Sequence, residues 1–335
     1  MPQDVSRPRA LTVMTGAWSA QAVYVAAKLG IADLLAAGPR RVDDLAAEAE
    51  VNAGFLHRLL RALASIGFFR VREDGRVELT PDAEPLAEDH PHSVRKFAFM
   101  VNEEVYEGFG GLLGVVRDGK PSFDEKFGMP VWEYYDTHPD VAATFHQSMN
   151  DWSNWDTPAL VEAYDFDRFR TIVDVGGGNG AFLSALLARY PRISATLLDR
   201  PSAIAAARHG EGGPLPRCAL VECDFLVDDL PTGADLYTIK HVVDGWPDDG
   251  AAEILGRIRQ AMGEDGRVLV LDCVIEPGNE PSFVKWLDLM VMTTTHGGRM
   301  RALSEYPGVF AKAGLRLGDT VRISDSLTLV EGLAD

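Results

Sequence analysis

The chain has 335 residues, long enough for two domains that each bury a core of their own. Its 46% hydrophobic and 24% charged residues are those of an ordinary globular protein. Asp and Glu total 50 against 32 Lys and Arg, and the net charge of −18 argues against nucleic acid or an anionic membrane as the main partner. Cys218, Cys223 and Cys273 are too few and too scattered for a disulfide framework or a zinc site, and read as reduced core thiols. The N-terminus carries Asp4, Arg7 and Arg9 but no apolar leader, and no charge-free run approaches membrane-spanning length. A cytoplasmic protein is expected.

Residues 10–37 predict a helix, with Trp18, Ala22, Val25, Leu29 and Leu34 at helical spacing. Its apolar surface is broader than a solvent-facing helix needs, so part is expected to bury against another subunit. Helices follow at Val42–Glu50 and Ala53–Ile66. Strands Phe68–Glu73 and Arg76–Thr80 are joined by the hairpin turn Asp74-Gly75. Helix-turn-helix plus hairpin suggests a winged-helix module. Residues 41–80 hold six Arg and seven Asp or Glu, so no basic recognition face forms. The module reads as a dimerisation scaffold, not a DNA-binding regulator.

Residues 92–165 are mostly helical and rich in aromatics: Phe97, Phe99, Tyr106, Phe109, Trp132, Tyr134, Tyr135, Phe145, Trp152 and Trp155. Such density usually means core, but some are expected to line an apolar substrate pocket. Trp132, Phe145, Met149 and Trp152 are the pocket candidates here, joined further on by Met290 and His296. The expected organisation is a dimerisation domain at 1–95, a helical linker at 96–165 and a catalytic domain at 166–335.

From residue 170 strands and helices alternate. Strands are expected at Thr171–Val175, Ile193–Leu198, Ala219–Cys223, Leu236–Ile239 and Arg267–Cys273, with helices such as Ala181–Tyr190 and Ala251–Met262 between them. That pattern is a doubly wound, mostly parallel α/β sheet. Arg316–Ile323 and Leu327–Glu331 are joined by a short turn, so the last strand should run antiparallel. The first strand ends in Asp174-Val-Gly-Gly-Gly-Asn-Gly180, a glycine loop opening onto a helix. Gly176 and Gly178 leave the main chain open to a ligand, and Asp199, at the end of the second strand, suits two ribose hydroxyls. Alone, the loop also fits a dinucleotide site. Asp174 argues against NAD, because it would repel a pyrophosphate and suits a cofactor bearing an amino group and a sulfonium.

The block Asp174–Gly180, Asp199, Asp224-Phe225 and Lys240–Trp246 resembles the S-adenosylmethionine-dependent small-molecule O-methyltransferases of the plant caffeate type and their bacterial antibiotic-tailoring relatives. The resemblance runs through nearly the whole chain, including the Trp18 helix, Leu59–Leu63, Phe145–Met149 and Gly297–Arg301. It implies a Rossmann-like methyltransferase domain behind a winged-helix domain, and a homodimer whose N-terminal helices interlock. It also implies S-adenosylmethionine as cofactor and S-adenosylhomocysteine as product. By the same resemblance Gly176 and Gly178 belong to the cofactor loop, with Asp174 before it. Asp199 is the ribose acid with Arg200 beside it, Asp224 and Phe225 flank the adenine, and Lys240 and Trp246 complete the site.

The chain departs from the family at one decisive place. The family pattern is Lys, three or four residues, then His-Asp-Trp, with that histidine as base; here the segment reads Lys240-His-Val-Val-Asp-Gly-Trp246. Asp244 replaces the histidine and Gly245 the aspartate, while His241 aligns with a position expected to face the sheet. Met300 replaces one family acid, and Asp272 stands for the other. The catalytic candidates are therefore Asp244 and Asp272.

Methyl transfer is an in-line displacement, and alignment alone gains about 7–11 kcal/mol in favourable intramolecular cases. A base adds typically ~10²–10⁴-fold, so its loss is damaging but not fatal. The expected reaction is O-methylation of a phenolic, polyketide-type aromatic. The alternatives are C- or N-transfer, or a non-methylating enzyme using the sulfonium as a fixed charge for decarboxylation, hydroxylation or rearrangement. Asp244, His296 and Asp272 suggest a metal site less than a hydrogen-bonded pocket floor, so no metal is expected.

Overall fold

Gly30 decides how the N-terminal apolar run folds. Its left-handed conformation, with φ of 64°, ends the helix Gly16–Lys28 and starts another at Ile31–Leu35. A further break at Thr15 leaves Arg9–Met14 as its own short helix, so the single helix expected over 10–37 is three. The structure, a computed structural model, describes residues 9–209 and 215–335; Asp4 and Arg7, read above for a leader, lie outside them.

The chain divides into two compact units, at Glu104/Val105. In the first, Asn52 caps the helix Ala53–Ala64 by accepting from the Phe55 N–H at 3.1 Å. Leu56, Leu60 and Leu63 then share one helical face and meet Ile31, Leu35, Leu45, Phe69 and Val77 in a core. A small antiparallel sheet is formed by β1 (Arg40–Arg41), β2 (Phe69–Val71) and β3 (Arg76–Leu79), in the order β1-β3-β2. β2 is shorter than expected because Arg72 already closes the turn, its N–H donating to Arg76 O at 2.8 Å. β1 has only two residues, too few to show a pattern in the sequence. Helix Arg95–Asn102 also belongs to this unit: Phe99 packs edge-on against Tyr24 at 6.0 Å, and Gln21 donates to Asn102 O at 3.3 Å. The segment 96–165 is therefore divided between the two units.

The second unit contains β4 (Thr171–Val175), β5 (Ser194–Asp199), β6 (Cys218–Glu222), β7 (Leu236–Lys240), β8 (Arg267–Asp272), β9 (Leu315–Arg322) and β10 (Thr328–Ala334). Their order is β6-β5-β4-β7-β8-β10-β9, with the first five parallel and β10 antiparallel to both its neighbours. This is the doubly wound, mostly parallel sheet expected from the alternation, with the antiparallel final strand expected from the short last turn. Val173, Val175, Tyr237, Ile239, Val268 and Val270 face one helical layer, while Ile172, Leu236, Leu269 and Leu271 face the other. Both faces are buried, which is why these strands read as continuous apolar runs.

The chain winds outward from β4 to β6, then returns to place β7 on the other side of β4. Ligands of such sheets bind in the crevice beyond the strand ends at this reversal. Asp174, Lys240 and Asp272 all lie at that edge, in the last two residues of β4, β7 and β8. No helix among the described residues is long and apolar enough to cross a membrane.

Candidate active site

The loop after β4 is built so that its main chain stays bare. Gly176, Gly178 and Gly180 have φ of 70°, 61° and 84°, a region that disfavours side chains. A Cβ at Gly176 would lie 2.7 Å from Val242 Cγ2, and one at Gly177 would lie 2.8 Å from Leu197 Cδ1 and collide with the Asp174 carboxylate. A Cβ at Gly178 meets nothing within 4 Å, so the loop is packed below and open at that residue. The Gly178 N–H donates to Asp199 Oδ2 at 2.7 Å, and the Arg200 N–H to Asp199 Oδ1 at 2.7 Å. These two donors fix the carboxylate beside the loop. Burial nevertheless raises its pKa above the ordinary value.

Asp174 lies under the loop, 1% exposed. Thr238 Oγ1 donates to its Oδ1 at 2.6 Å, and its Oδ2 is buried without a hydrogen-bond partner among the described residues. Burial pushes its pKa up to about 6. Lys240 donates to Ser153 Oγ at 3.0 Å, and burial lowers its ammonium to about 8 against the pull of Asp156 and Asp174. A bare loop, a fixed ribose-type acid and an unmet buried acceptor fit S-adenosylmethionine, whose amino group complements Asp174. When bound, that cofactor supplies a methyl group on a positively charged sulfur. Phe225 Cε1 lies 3.6 Å from the Cβ position of Gly176, on the loop's flank. Asp224 is exposed and accepts from the Leu226 N–H at 3.0 Å, turning the chain after β6. Arg200 pairs with Asp136 at 3.0 Å.

Beyond β7 and β8 a second group assembles. His241, Asp244 and Asp272 each present an atom within 4.8 Å of the other two. Asp272 is 1% exposed, and both its carboxyl oxygens lack a partner among the described residues. Burial and the neighbouring Asp244 push its pKa well above the usual range, while burial raises Asp244 against the pull of Arg301. The two carboxyls therefore titrate as a pair. His241 follows β7 with a left-handed φ of 53°, its N–H donating to Leu271 O at 3.0 Å, and its Nε2 is buried without a partner among the described residues. Burial, then the adjacent Lys240, hold its pKa well below that of an ordinary imidazole.

The loop carrying Asp244 is held by Arg301, which is 1% exposed. Its Nη1 donates to Val243 O and its Nη2 to Trp246 O, each at 2.8 Å, and its Nε to Asp248 Oδ1 at 3.0 Å. Trp246 packs against the core cluster below. Gly298 lets the other side of the pocket close in, since a Cβ there would lie 2.7 Å from Gly245 C and 2.8 Å from Asp244 O.

The substrate-pocket candidates are distributed over different clusters. Trp152 stacks on Phe283 at 5.4 Å and packs with Met290 beside Cys273, the residue after Asp272. Trp132 and Phe145 meet edge-on at 5.6 Å, and both rings also touch Tyr135, at 6.0 and 4.7 Å. Met149 is half-buried on the helix Pro139–Ala163 that carries Phe145 and Trp152. His296 does not join Asp244 and Asp272: its Nε2 sits 2.7 Å from Asp124 Oδ2, with 62% of its side chain exposed, because Gly297 turns the loop there with φ of 81°. Gly177, His241, Gly298 and Arg301 are the residues that the sequence reading left without a role. Only the proximity of His241 and Asp244 in sequence hinted at their meeting.

Comparison with known proteins agrees with this geometry. Residues 109–316 match the O-methyltransferase domain family, and residues 11–89 match the O-methyltransferase dimerisation domain. The chain is 37% identical to the phenazine O-methyltransferase PhzM of Lysobacter antibioticus, over 96% of this chain and 94% of that one. It is similar to the structure of an O-methyltransferase from neocarzinostatin biosynthesis in complex with S-adenosylmethionine and 2-hydroxy-5-methyl naphthoic acid. There the TM-score is 0.81 at 34% identity, covering 94% of this chain and 96% of that one. A third relative, 33% identical over 92% of this chain and 84% of its own length, is the aclacinomycin 10-hydroxylase RdmB of Streptomyces purpurascens. The bare glycine loop, the acid at 199 and the matched domains together make this chain a member of the S-adenosylmethionine-dependent O-methyltransferase family.

Proposed function

We propose that the protein transfers a methyl group to a hydroxyl on a fused-ring aromatic metabolite, of the phenazine or hydroxynaphthoate kind, with Asp244 and Asp272 at the acceptor oxygen. The observation that carries this reading is the meeting of Asp244 with Asp272 at the same sheet edge as the glycine loop. A carboxyl of that pair hydrogen-bonds the acceptor's hydroxyl group and turns an oxygen lone pair toward the methyl carbon. On this reading Asp199 takes the ribose hydroxyls, and Asp224 and Phe225 flank the adenine. Arg200, Lys240 and Trp246 border the same site. The flat face of Trp152 on Phe283, with Met290 and Met149 nearby, suits a planar ring system, and Trp132 and Phe145 extend the aromatic surface.

We also infer a homodimer formed through the N-terminal helices. Leu11, Val13, Met14 and Trp18 are exposed there, Trp18 at 74%, and such contiguous apolar surface marks an interface.

The test is incubation with methyl-labelled S-adenosylmethionine and a panel of hydroxynaphthoic acids and hydroxyphenazines. Label on oxygen, with one S-adenosylhomocysteine per product, supports the reading. Label on carbon or nitrogen assigns the alternative transfers. The similarity to a hydroxylase favours a second reading, in which the bound sulfonium acts as a fixed charge and the substrate changes without methylation. Product without label or S-adenosylhomocysteine would establish it.

A further inference from the structure

We propose that His241 is a catalytic base of the methyl transfer, taking the acceptor's hydroxyl proton on Nε2. The inference rests on the O-transfer reading above and adds the destination of the proton. Three observations carry it. His241, the residue after β7, has a left-handed backbone, φ 53°, uncommon for a residue with a side chain, while its N–H still donates to Leu271 O at 3.0 Å. Its Nε2 is buried with no hydrogen-bond partner among the described residues, so a polar ring atom is left unmet in the cluster. A ring nitrogen lies within 4.8 Å of a carboxyl oxygen of both Asp244 and Asp272, close enough for a negative charge there to favour its protonated form.

The surroundings fix the form of each group. His241 and Asp244 are half-buried while Asp272 is enclosed, so the cluster opens on the side of the first two. Lys240, on the preceding residue, and burial keep the imidazole neutral before reaction. Asp272 is raised further than Asp244, by burial and by Asp244 itself, so Asp244 ionises first and its negative charge faces the imidazolium once it forms. In the transfer the acceptor oxygen forms a bond to the methyl carbon. The carbon–sulfur pair stays on sulfur and cancels the sulfonium charge. The O–H proton passes to Nε2 and leaves afterwards to solvent.

The test uses the full chain with S-adenosylhomocysteine bound and a naphthol whose phenolate absorbs at longer wavelength than the phenol. Wild type is expected to bind the naphthol ionised, and His241→Ala to bind it protonated, with no turnover involved. In steady state His241→Ala should lower kcat about 10²-fold or more, the usual contribution of a base. Its loss should be greatest on the least acidic naphthols and be recovered in part by added imidazole. Unchanged cofactor affinity, measured by calorimetry, shows that the variant is folded. If His241→Ala keeps wild-type kcat and the bound phenolate spectrum, the proposal is overturned while label transfer by wild type still supports O-methylation. Activity abolished by a chelator and restored by a divalent cation would equally overturn it, assigning the three side chains to a metal. Absence of any label transfer by wild type would instead remove the reading on which it rests.

Discussion

The backbone N–H of Gly178 donates to Asp199 Oδ2 at 2.7 Å, tying the cofactor loop to the acid at the end of the next strand. One carboxylate thus fixes the loop and, on the proposed reading, receives the ribose. Hydrogen bonds to a charged group contribute about 1.5–3 kcal/mol, or roughly 10- to 100-fold in affinity. Asp199→Ala is expected to weaken S-adenosylhomocysteine binding by that factor in calorimetry. An affinity within twofold of wild type would remove Asp199 from the site.

Gly177 makes the closest packing in the loop, against Asp174 and Leu197. Its φ is not in the left-handed region, so what excludes a side chain there is space alone. Gly177→Ala should cost about 1–3 kcal/mol of stability, as overpacking typically does, and abolish measurable cofactor binding. Thermal unfolding and calorimetry check the two effects separately.

Asp174 gives a pH dependence whose sign follows from its raised pKa. Its ordinary value is 3.8 and burial takes it to about 6 in the folded chain. Between those values the unfolded chain has already lost the proton that the folded chain retains, so rising pH disfavours folding. Without cofactor, wild type should lose about 2 kcal/mol relative to Asp174→Asn from pH 4 to 6, since the slope reaches about 1.36 kcal/mol per pH unit only between the two pKa values. Urea unfolding of both proteins at several pH values measures the difference. A difference independent of pH would mean that Asp174 ionises normally in the folded chain.

Arg301 is a positioning residue, holding the carbonyls of Val243 and Trp246 on either side of Asp244. Lysine keeps the charge but not the fork. Arg301→Lys should lower kcat at least tenfold (an order-of-magnitude expectation for a displaced catalytic group) and leave cofactor affinity unchanged. Equal losses in both would assign Arg301 to general stability instead.

Much of the second unit was legible because its strands are buried on both faces and its loop is punctuated by glycine. The expected β4 boundaries are those observed, and Asp174, Gly178 and Asp199 come together as their spacing implied. The acid pair was legible only as two separate residues. Asp272 ends β8 and Asp244 lies in the turn that follows β7, a relation set by the β7–β8 register and not by sequence distance. The meeting of His241 with the two acids was not legible either, because alignment with the family gave it only a position facing the sheet, and its positive φ has no signature in the sequence. His296 looked like a pocket residue until Asp124, far away in sequence, supplied its partner. Gly177 and Gly298 show the same limit, since what they exclude is visible only once their neighbours are in place.

The most direct test of the account is single-turnover transfer from methyl-labelled S-adenosylmethionine to a hydroxynaphthoic acid, comparing wild type with Asp244→Asn. The predicted result is label on the hydroxyl oxygen in wild type and transfer at least tenfold slower in the variant, as for an orienting group removed, with cofactor affinity unchanged. Label on another atom, or an equal rate in the variant, would contradict the placement of the acceptor hydroxyl at Asp244 and Asp272.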